Sequence, residues 1–305
     1  DRGFDHFFGT ASCPTTDWLY AYMDGDRIPV PPTRIVDRGP LPKHPYSRDN
    51  RPGMIAPDFD LEAVDQVFLK KSLAFLARHK KEKPDKPFFL FHSMQAVHLP
   101  SFPSEKFKGK TDSGPHGDFI HEMDHIVGEL MKALHKHGFS EDTLVVFSSD
   151  NGPEVPTVIN MRKTHKHDGA RPWRGVKRDN WEGGHRVPML VRWPGKVKAG
   201  SQSAQVITHT DLFATVAAIA GAKIPKGAAA DSYSFLPLLL GKAKAYSRPP
   251  VIHHSASGMF AIRDGDWKLV LGNGSGGRQQ PRGKAFERPY FLANIKTHGD
   301  EQKNF

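Results

Sequence analysis

The chain has 305 residues, 38% of them hydrophobic and 20 of them Phe, enough for one large domain, or a large and a small one, around a sizeable core. No apolar run approaches the ~20 residues that a membrane-spanning helix needs, and the single cysteine, Cys13, excludes an internal disulfide and any multi-cysteine zinc site. The formal charge of +10, from 43 Lys and Arg against 33 Asp and Glu, favours an anionic partner such as nucleic acid, a sulfated or phosphorylated sugar, or a membrane surface.

The chain opens on Asp1-Arg2-Gly3, without Met and without the basic start and apolar run of a signal peptide. It reads there as processed, or as a piece of a longer protein. Residues 1–58, rich in Pro, Gly, Asp and Arg, predict irregular structure wrapping a core. Asp60 is placed to cap a helix running to about His79, with Leu61, Val64, Phe68 and Leu76 on its apolar side. The charged KKEKPDK stretch that follows reads as a solvated loop. PFFLFHSM, from Pro87 to Met94, has the look of a short buried strand. After Gly117 the spacing of Ile120, Met123, Val127, Leu130 and Leu134 predicts a helix ended by Gly138. Thr143 to Ser149 and Pro188 to Trp193 are further strands, and DLFATVAAIAG is a helix stopped by Gly221.

Strands alternating with helices predict a mainly parallel α/β sheet covered on both faces. The pattern changes near Tyr246, where MFAIRDGDWKLVLG sets Asp264-Gly265 between two strand-like runs, a hairpin signal. The expected organisation is therefore an α/β domain over residues 1–245 and a small antiparallel subdomain over 246–305.

Three places carry chemistry. Asp150-Asn151-Gly152 ends the apolar run TLVVFSS, and ligands of open α/β sheets collect outside the carboxyl ends of strands. An anionic Asp oxygen beside a neutral Asn oxygen suits a hard divalent cation, while the same triplet also makes a plain turn. RGVKRDNWEGGHRVP places Lys177 and paired glycines before the 188–193 strand, where a lysine can lie over an anion held by the cation. QAVHLP places His98 directly after PFFLFHSM, in position to donate to an anion or move a proton.

Together these segments resemble a sulfatase of the arylsulfatase type, within the alkaline phosphatase superfamily. RGFDHFFG, KPFFLFHSMQAVHLP, TLVVFSSDNG, the Lys177-to-EGGHRVP spacing, THTDLFATVAAIAGA, DSYSFLPLLLG and AIRDGDWKLVL all occur in the family's order. The resemblance implies the alkaline-phosphatase-like α/β fold and hydrolysis of an aryl or carbohydrate sulfate ester. It implies Ca2+ (Mg2+ less readily) held by Asp150 and Asn151, sulfate bound by Lys177 and His98, and leaving-group chemistry by the same two side chains. His165, His167 and Arg174 are further candidate substrate contacts. With Arg162, Lys163 and Lys166, the two histidines sit in an insert, Val155 to Trp173, whose cations suit a polyanionic sugar.

The family's formylglycine nucleophile derives from a C-x-P-S/A-x-R signature, which this chain lacks. Cys13, in SCPTTDW, is not that signature and is not assigned as the nucleophile. The chain resembles roughly the last two thirds of a sulfatase, with formylglycine and a second acidic pair expected upstream, and is expected not to turn over a sulfate ester alone. The resemblance also implies a sulfated small molecule or polysaccharide as substrate and a formylglycine-generating enzyme as a maturation partner. The location it implies is periplasmic, secreted or lysosomal. Two other readings stay open: a phosphodiesterase or phosphonate hydrolase of the same superfamily, and a non-catalytic module that binds sulfated polysaccharide. Nucleic-acid binding rests on charge alone, with no recognisable motif.

Overall fold

The computed structural model describes residues 3–242, 244 and 246–305. They divide into two compact units, one running up to Ser140 and including Glu154–Gly169, the other comprising Glu141–Pro153 and Ala170–Phe305.

In the first unit the opening stretch is mostly irregular but is tied by five two-residue strands. β1 (Phe8–Gly9) pairs with β3 (Met23–Asp24), and β2 (Leu19–Tyr20) and β4 (Arg34–Ile35) flank β5 (Met54–Ile55), with β2 and β5 parallel. The strands carry Tyr20 and Ile55, and the link between β2 and β3 carries Tyr22, into a core completed by Phe59, Leu61, Val64 and Phe102. The rings of Tyr22 and Phe59 lie 4.6 Å apart. α1 (Val64–Glu82) starts after Ala63 rather than at Asp60, whose carboxylate instead accepts the Glu62 amide at 2.9 Å in the preceding turn.

α2 (Gly114–Lys136) packs on α1. Its deepest face is not the expected apolar stripe, of which only Leu134 is fully buried; it runs through Phe119, Glu122 and Ile126. Glu122 goes inward because it has partners there: Ser104 donates to it through both its amide and its hydroxyl, and Gln66 through Nε2. The helix ends as predicted at Gly138, with φ +74° and the Phe139 amide reaching back to the Leu134 carbonyl at 2.8 Å.

PFFLFHSM departs from expectation. It alternates in and out, with Phe89 and Phe91 65% and 71% exposed, and forms no ladder among the described residues. A buried strand needs a neighbour on each side; this segment is held through side chains, Phe88 against Phe139 and His92 against Ser72. The 155–173 insert also differs from a loop: α3 (Val155–His165) occupies its first half, started by Pro156 in the first turn and stopped by Lys166 in the left-handed region.

In the second unit β6 (Val145–Ser148) and, beyond the short α4 (Glu182–His185), β7 (Met189–Arg192) pair antiparallel. α5 (Asp211–Ala220) ends at Gly221, φ +67°, as its sequence predicts, and a short α6 (Leu236–Leu239) packs on it. The remaining strands, β8 (Val251–His254), β9 (Phe260–Asp264), β10 (Trp267–Val270) and β11 (Phe291–Asn294), form a four-stranded antiparallel sheet in the order β11-β10-β9-β8. The β9–β10 hairpin forms one residue later than expected: Asp264 pairs with Trp267, so the loop is Gly265-Asp266. The fold is thus α/β with a C-terminal antiparallel sheet.

One buried group gives the first unit a pH dependence. His116 is 8% exposed, its Nδ1 2.9 Å from Ser101 Oγ. Burial, with the nearby positive charge of His167, pushes it from the ordinary 6.5 down to about 4. A histidine depressed in the folded state contributes stability that is present above 6.5 and is lost as pH falls toward 4. At pH 5 the loss is about 2 kcal/mol. Denaturant unfolding at pH 7.5 and 5 should therefore show a smaller acid-induced drop in His116→Gln than in the wild type. Equal drops would contradict this.

Candidate functional site

β6 delivers the chain to Ser149-Asp150-Asn151-Gly152, and the 174–184 loop closes over it. The Gly152 amide donates to the Gly184 carbonyl at 3.0 Å, and the Lys177 amide to the Pro153 carbonyl at 2.9 Å. Residues 150–153 are thus held between Lys177 on one side and the Gly183-Gly184 turn on the other. The close approach depends on glycine. A Cβ on Gly152 would sit 1.8 Å from the Gly183 carbonyl oxygen, and one on Gly183 would sit 2.3 Å from the Gly175 carbonyl oxygen.

Backbone meets backbone here, so no side chain can swing away to make room. Gly152→Ala should therefore destabilise the protein by about 3 kcal/mol or more, at or beyond the usual range for overpacking. Gly128→Ala, in α2 with nothing within 4 Å of the added methyl, should be neutral or stabilising. Equal denaturation midpoints for the two variants would contradict the tight contact.

The side chains in this corner are uncommitted. Asp150 is exposed and makes no hydrogen bond or ion pair among the described residues. Asn151 turns its Nδ2 onto the Gly152 carbonyl at 2.9 Å, which leaves Oδ1 as its available acceptor. Lys177 is half-buried, and its ammonium has no carboxylate partner among the described residues. A carboxylate oxygen and an amide oxygen fit calcium or magnesium in kind, though two donors fall short of the six to eight oxygens that calcium takes. Among the described residues no three His, Cys, Asp or Glu side chains gather as a ready-made cation site.

The loop bearing Lys177 is braced from below. Asp179, fully buried, accepts the Val176 amide at 3.0 Å and the Arg278 and Gln279 amides at 2.6 and 3.1 Å. Glu182 joins a buried charge network: Lys268, 0% exposed, lies 3.1 Å from Glu182 and 2.9 Å from Glu301, and Arg263 lies 3.2 Å from Glu182. Burial alone would raise the Glu182 carboxyl; Lys268 and Arg263 outweigh it and hold it low. Glu301 is raised by burial. No sequence signal marked this network, because Glu182 lies 81 to 119 residues from its partners Arg263, Lys268 and Glu301 in the chain.

Arg174 is placed differently from the other candidates in this unit. Its guanidinium lies 4.0 Å over the Trp181 ring and donates to the Glu301 carbonyl at 2.6 Å, so it packs the C-terminal segment.

In the first unit His98 follows a segment pinned by α1. Asp65 accepts the Gln95 and Ala96 amides at 2.7 and 2.8 Å, and burial raises its carboxyl to about 6. His98 Nδ1 donates to the Leu99 carbonyl, and the Cys13 sulfur lies 3.9 Å from the same nitrogen. Burial pushes the Cys13 thiol up, but hydrogen bonds from His98 and Thr16 outweigh it and bring it to about 7. Sequence reasoning left this thiol without a role, and 85 residues of separation hide its contact with His98. His165 is hydrogen-bonded through both ring nitrogens, to the Asp112 carbonyl at 2.8 Å and the Tyr46 hydroxyl at 3.3 Å. His167 is exposed. Arg162 is paired with Asp168 at 2.6 Å, so it is not the open cation that the sequence implied.

Comparison with known proteins gives a consistent picture. The family model Sulfatase matches residues 1–222, and a second, N-sulphoglucosamine sulphohydrolase, C-terminal, matches residues 175–271. An N-acetylgalactosamine-6-O-sulfatase of Bacteroides thetaiotaomicron is 35% identical over 68% of this chain and 40% of its own length. The N-acetylgalactosamine-6-sulfatase of Canis lupus familiaris is 28% identical over 99% of this chain and 54% of its own. The chain thus spans about half or less of these relatives. A solved structure described for glycosaminoglycan metabolism by Bacteroides thetaiotaomicron superposes with a TM-score of 0.81 at 26% identity, covering 99% of this chain and 68% of that one.

Proposed function

The chain belongs to the sulfatase family, and from that premise we propose that it forms part of a hydrolase of carbohydrate sulfate esters, in which the corner built from Asp150, Asn151 and Lys177 holds the sulfate group. The observation that carries this reading is the pairing of two uncommitted hard-oxygen donors with an uncommitted ammonium, on two loops bonded backbone to backbone.

Asp150 and Asn151 would hold a divalent cation, calcium in preference to magnesium, through one carboxylate and one amide oxygen. Such a cation would polarise the sulfate and neutralise charge on its oxygens. Lys177 binds a sulfate oxygen and stabilises the negative charge that builds on the leaving oxygen. His98 would contact the sulfate or, as an imidazolium whose Nδ1 stays bonded to the Leu99 carbonyl, deliver its Nε2 proton to the leaving alcohol. The nucleophile would be a formylglycine, whose C-x-P-S/A-x-R signature these 305 residues lack, installed by a maturation enzyme, and the same reading gives the protein an exported or lysosomal location. The carbohydrate preference follows the activities that the relatives are named for and the positive net charge.

The test is release of inorganic sulfate from an aryl sulfate, with and without chelator, by these residues joined to their upstream segment and by the 305 residues alone. Cation-dependent sulfate release by the joined protein, and none by the 305 residues, is expected. Turnover of a phosphodiester in its place, or salt-sensitive polysaccharide binding without hydrolysis, would overturn it.

A further inference from the structure

Directly after Lys177 the second unit opens a cavity of about 250 Å3 lined by Arg178, Arg278, Arg282, Ser257, Gly276 and Gly277, with Ala256 completing the wall. None of these residues is acidic. We propose that this pocket is a second anion subsite, taking a carboxylate or sulfate of a saccharide unit next to the one that carries the scissile ester.

The pocket is assembled deliberately. Its two walls come from segments about 100 residues apart, and one buried carboxylate, Asp179, fastens both: Oδ2 accepts the Val176 amide and Oδ1 the Arg278 and Gln279 amides. Further backbone bonds lock the rim, Ala256 to the Arg178 carbonyl at 3.0 Å and Gly276 to the Arg282 carbonyl at 2.7 Å. Gly277 lets the walls touch, since a Cβ there would lie 2.3 Å from the Arg178 carbonyl oxygen. The arginines are thus presented from a rigid frame, which lowers the entropy lost on binding.

Arg178 adds an independent sign. Its φ is +81°, a region that glycine enters freely and that costs a side chain of this kind about 1–3 kcal/mol. Arginine is retained there against that strain, between Lys177 and Asp179. Arg278 and Arg282 are exposed, and neither side chain has an ion-pair partner among the described residues. The forked guanidinium groups of Arg278 and Arg282 match the geometry of planar carboxylates and tetrahedral sulfates, which a single lysine does not. The adjacency of Lys177 and Arg178 in the chain places the two anion sites side by side, the spacing that a polyanionic oligosaccharide offers.

The saccharide identity rests on the sulfatase reading; anion binding in the pocket does not. The experiment therefore has two readouts on the Arg278→Ala/Arg282→Ala double variant, whose removed side chains leave the backbone bonds in place. Calorimetric affinity for a heparin tetrasaccharide is measured on the 305-residue chain, and KM is compared for that oligosaccharide and an aryl sulfate on the protein joined to its upstream segment.

The expected result is at least a tenfold loss of tetrasaccharide affinity, with a matching rise in KM and no change for the aryl sulfate. A Lys196→Ala/Lys198→Ala control of equal charge should change neither. Arg178→Gly should weaken tetrasaccharide binding without lowering the unfolding midpoint. Repeating the titration with a carboxyl-reduced tetrasaccharide identifies the anion: retained sensitivity to the double variant marks sulfate, lost sensitivity marks the uronate carboxylate. Unchanged affinity in the double variant, or a loss equalled by the lysine control, would overturn the subsite. Absence of any aryl sulfate turnover would sink the sulfatase reading while the affinity measurement still decided the pocket.

Discussion

Lys177→Ala is expected to lower kcat/KM for an aryl sulfate by roughly 10²–10³, the usual effect of deleting one preorganised electrostatic stabiliser. The side chain is half-buried and has no ion-pair partner among the described residues, so its removal leaves no orphaned carboxylate behind. Its backbone amide still bonds Pro153, which keeps the loop in register. The loss should therefore appear in turnover with the unfolding midpoint nearly unchanged. Lys177→Arg should recover only part of the activity, because a broad planar fork does not reproduce a compact ammonium. A change below about threefold in Lys177→Ala would remove this residue from the reaction.

The largest effect on stability is expected at Lys268. This ammonium is wholly inside the protein, between Glu182 and Glu301. Lys268→Met replaces it with an apolar chain of similar length, so packing is largely conserved and the change is electrostatic. It strands Glu301, itself fully buried, without its cation, and breaking a buried pair in this way costs about 3–5 kcal/mol.

The double variant Lys268→Met/Glu301→Gln should regain part of that loss, since a neutral amide needs no counter-charge. A single variant within about 1 kcal/mol of the wild type would show that the network contributes little. The consequence reaches the site, because Glu182 opens the Gly183-Gly184 turn against which Gly152 rests.

What the sequence made legible follows from how local each signal is. α5, its Gly221 stop and the β9–β10 hairpin depend on neighbours within a few residues, and they form where or nearly where expected. The Asp150-Asn151-Gly152 strand end and the glycine pair after Lys177 were readable because sharp backbone approach demands glycine at fixed positions. PFFLFHSM was misread because apolar content alone does not say whether a strand has a neighbour to bond. The start of α1 was misplaced because Asp60 spends its carboxylate on the turn before the helix. The Lys268 network, the Cys13–His98 contact and the arginine pocket were invisible for one shared reason. Each joins residues about 80 to 120 positions apart, and no single-sequence periodicity encodes such pairing.

The most direct measurement is a calorimetric calcium titration of the wild-type protein joined to its upstream segment, set against Asp150→Ala. A single tight site in the wild type, weakened in the variant by more than the ~10–100-fold that losing an outer-shell partner causes, is the predicted result. Calcium affinity left intact by Asp150→Ala would contradict the claim that this strand end holds the cation.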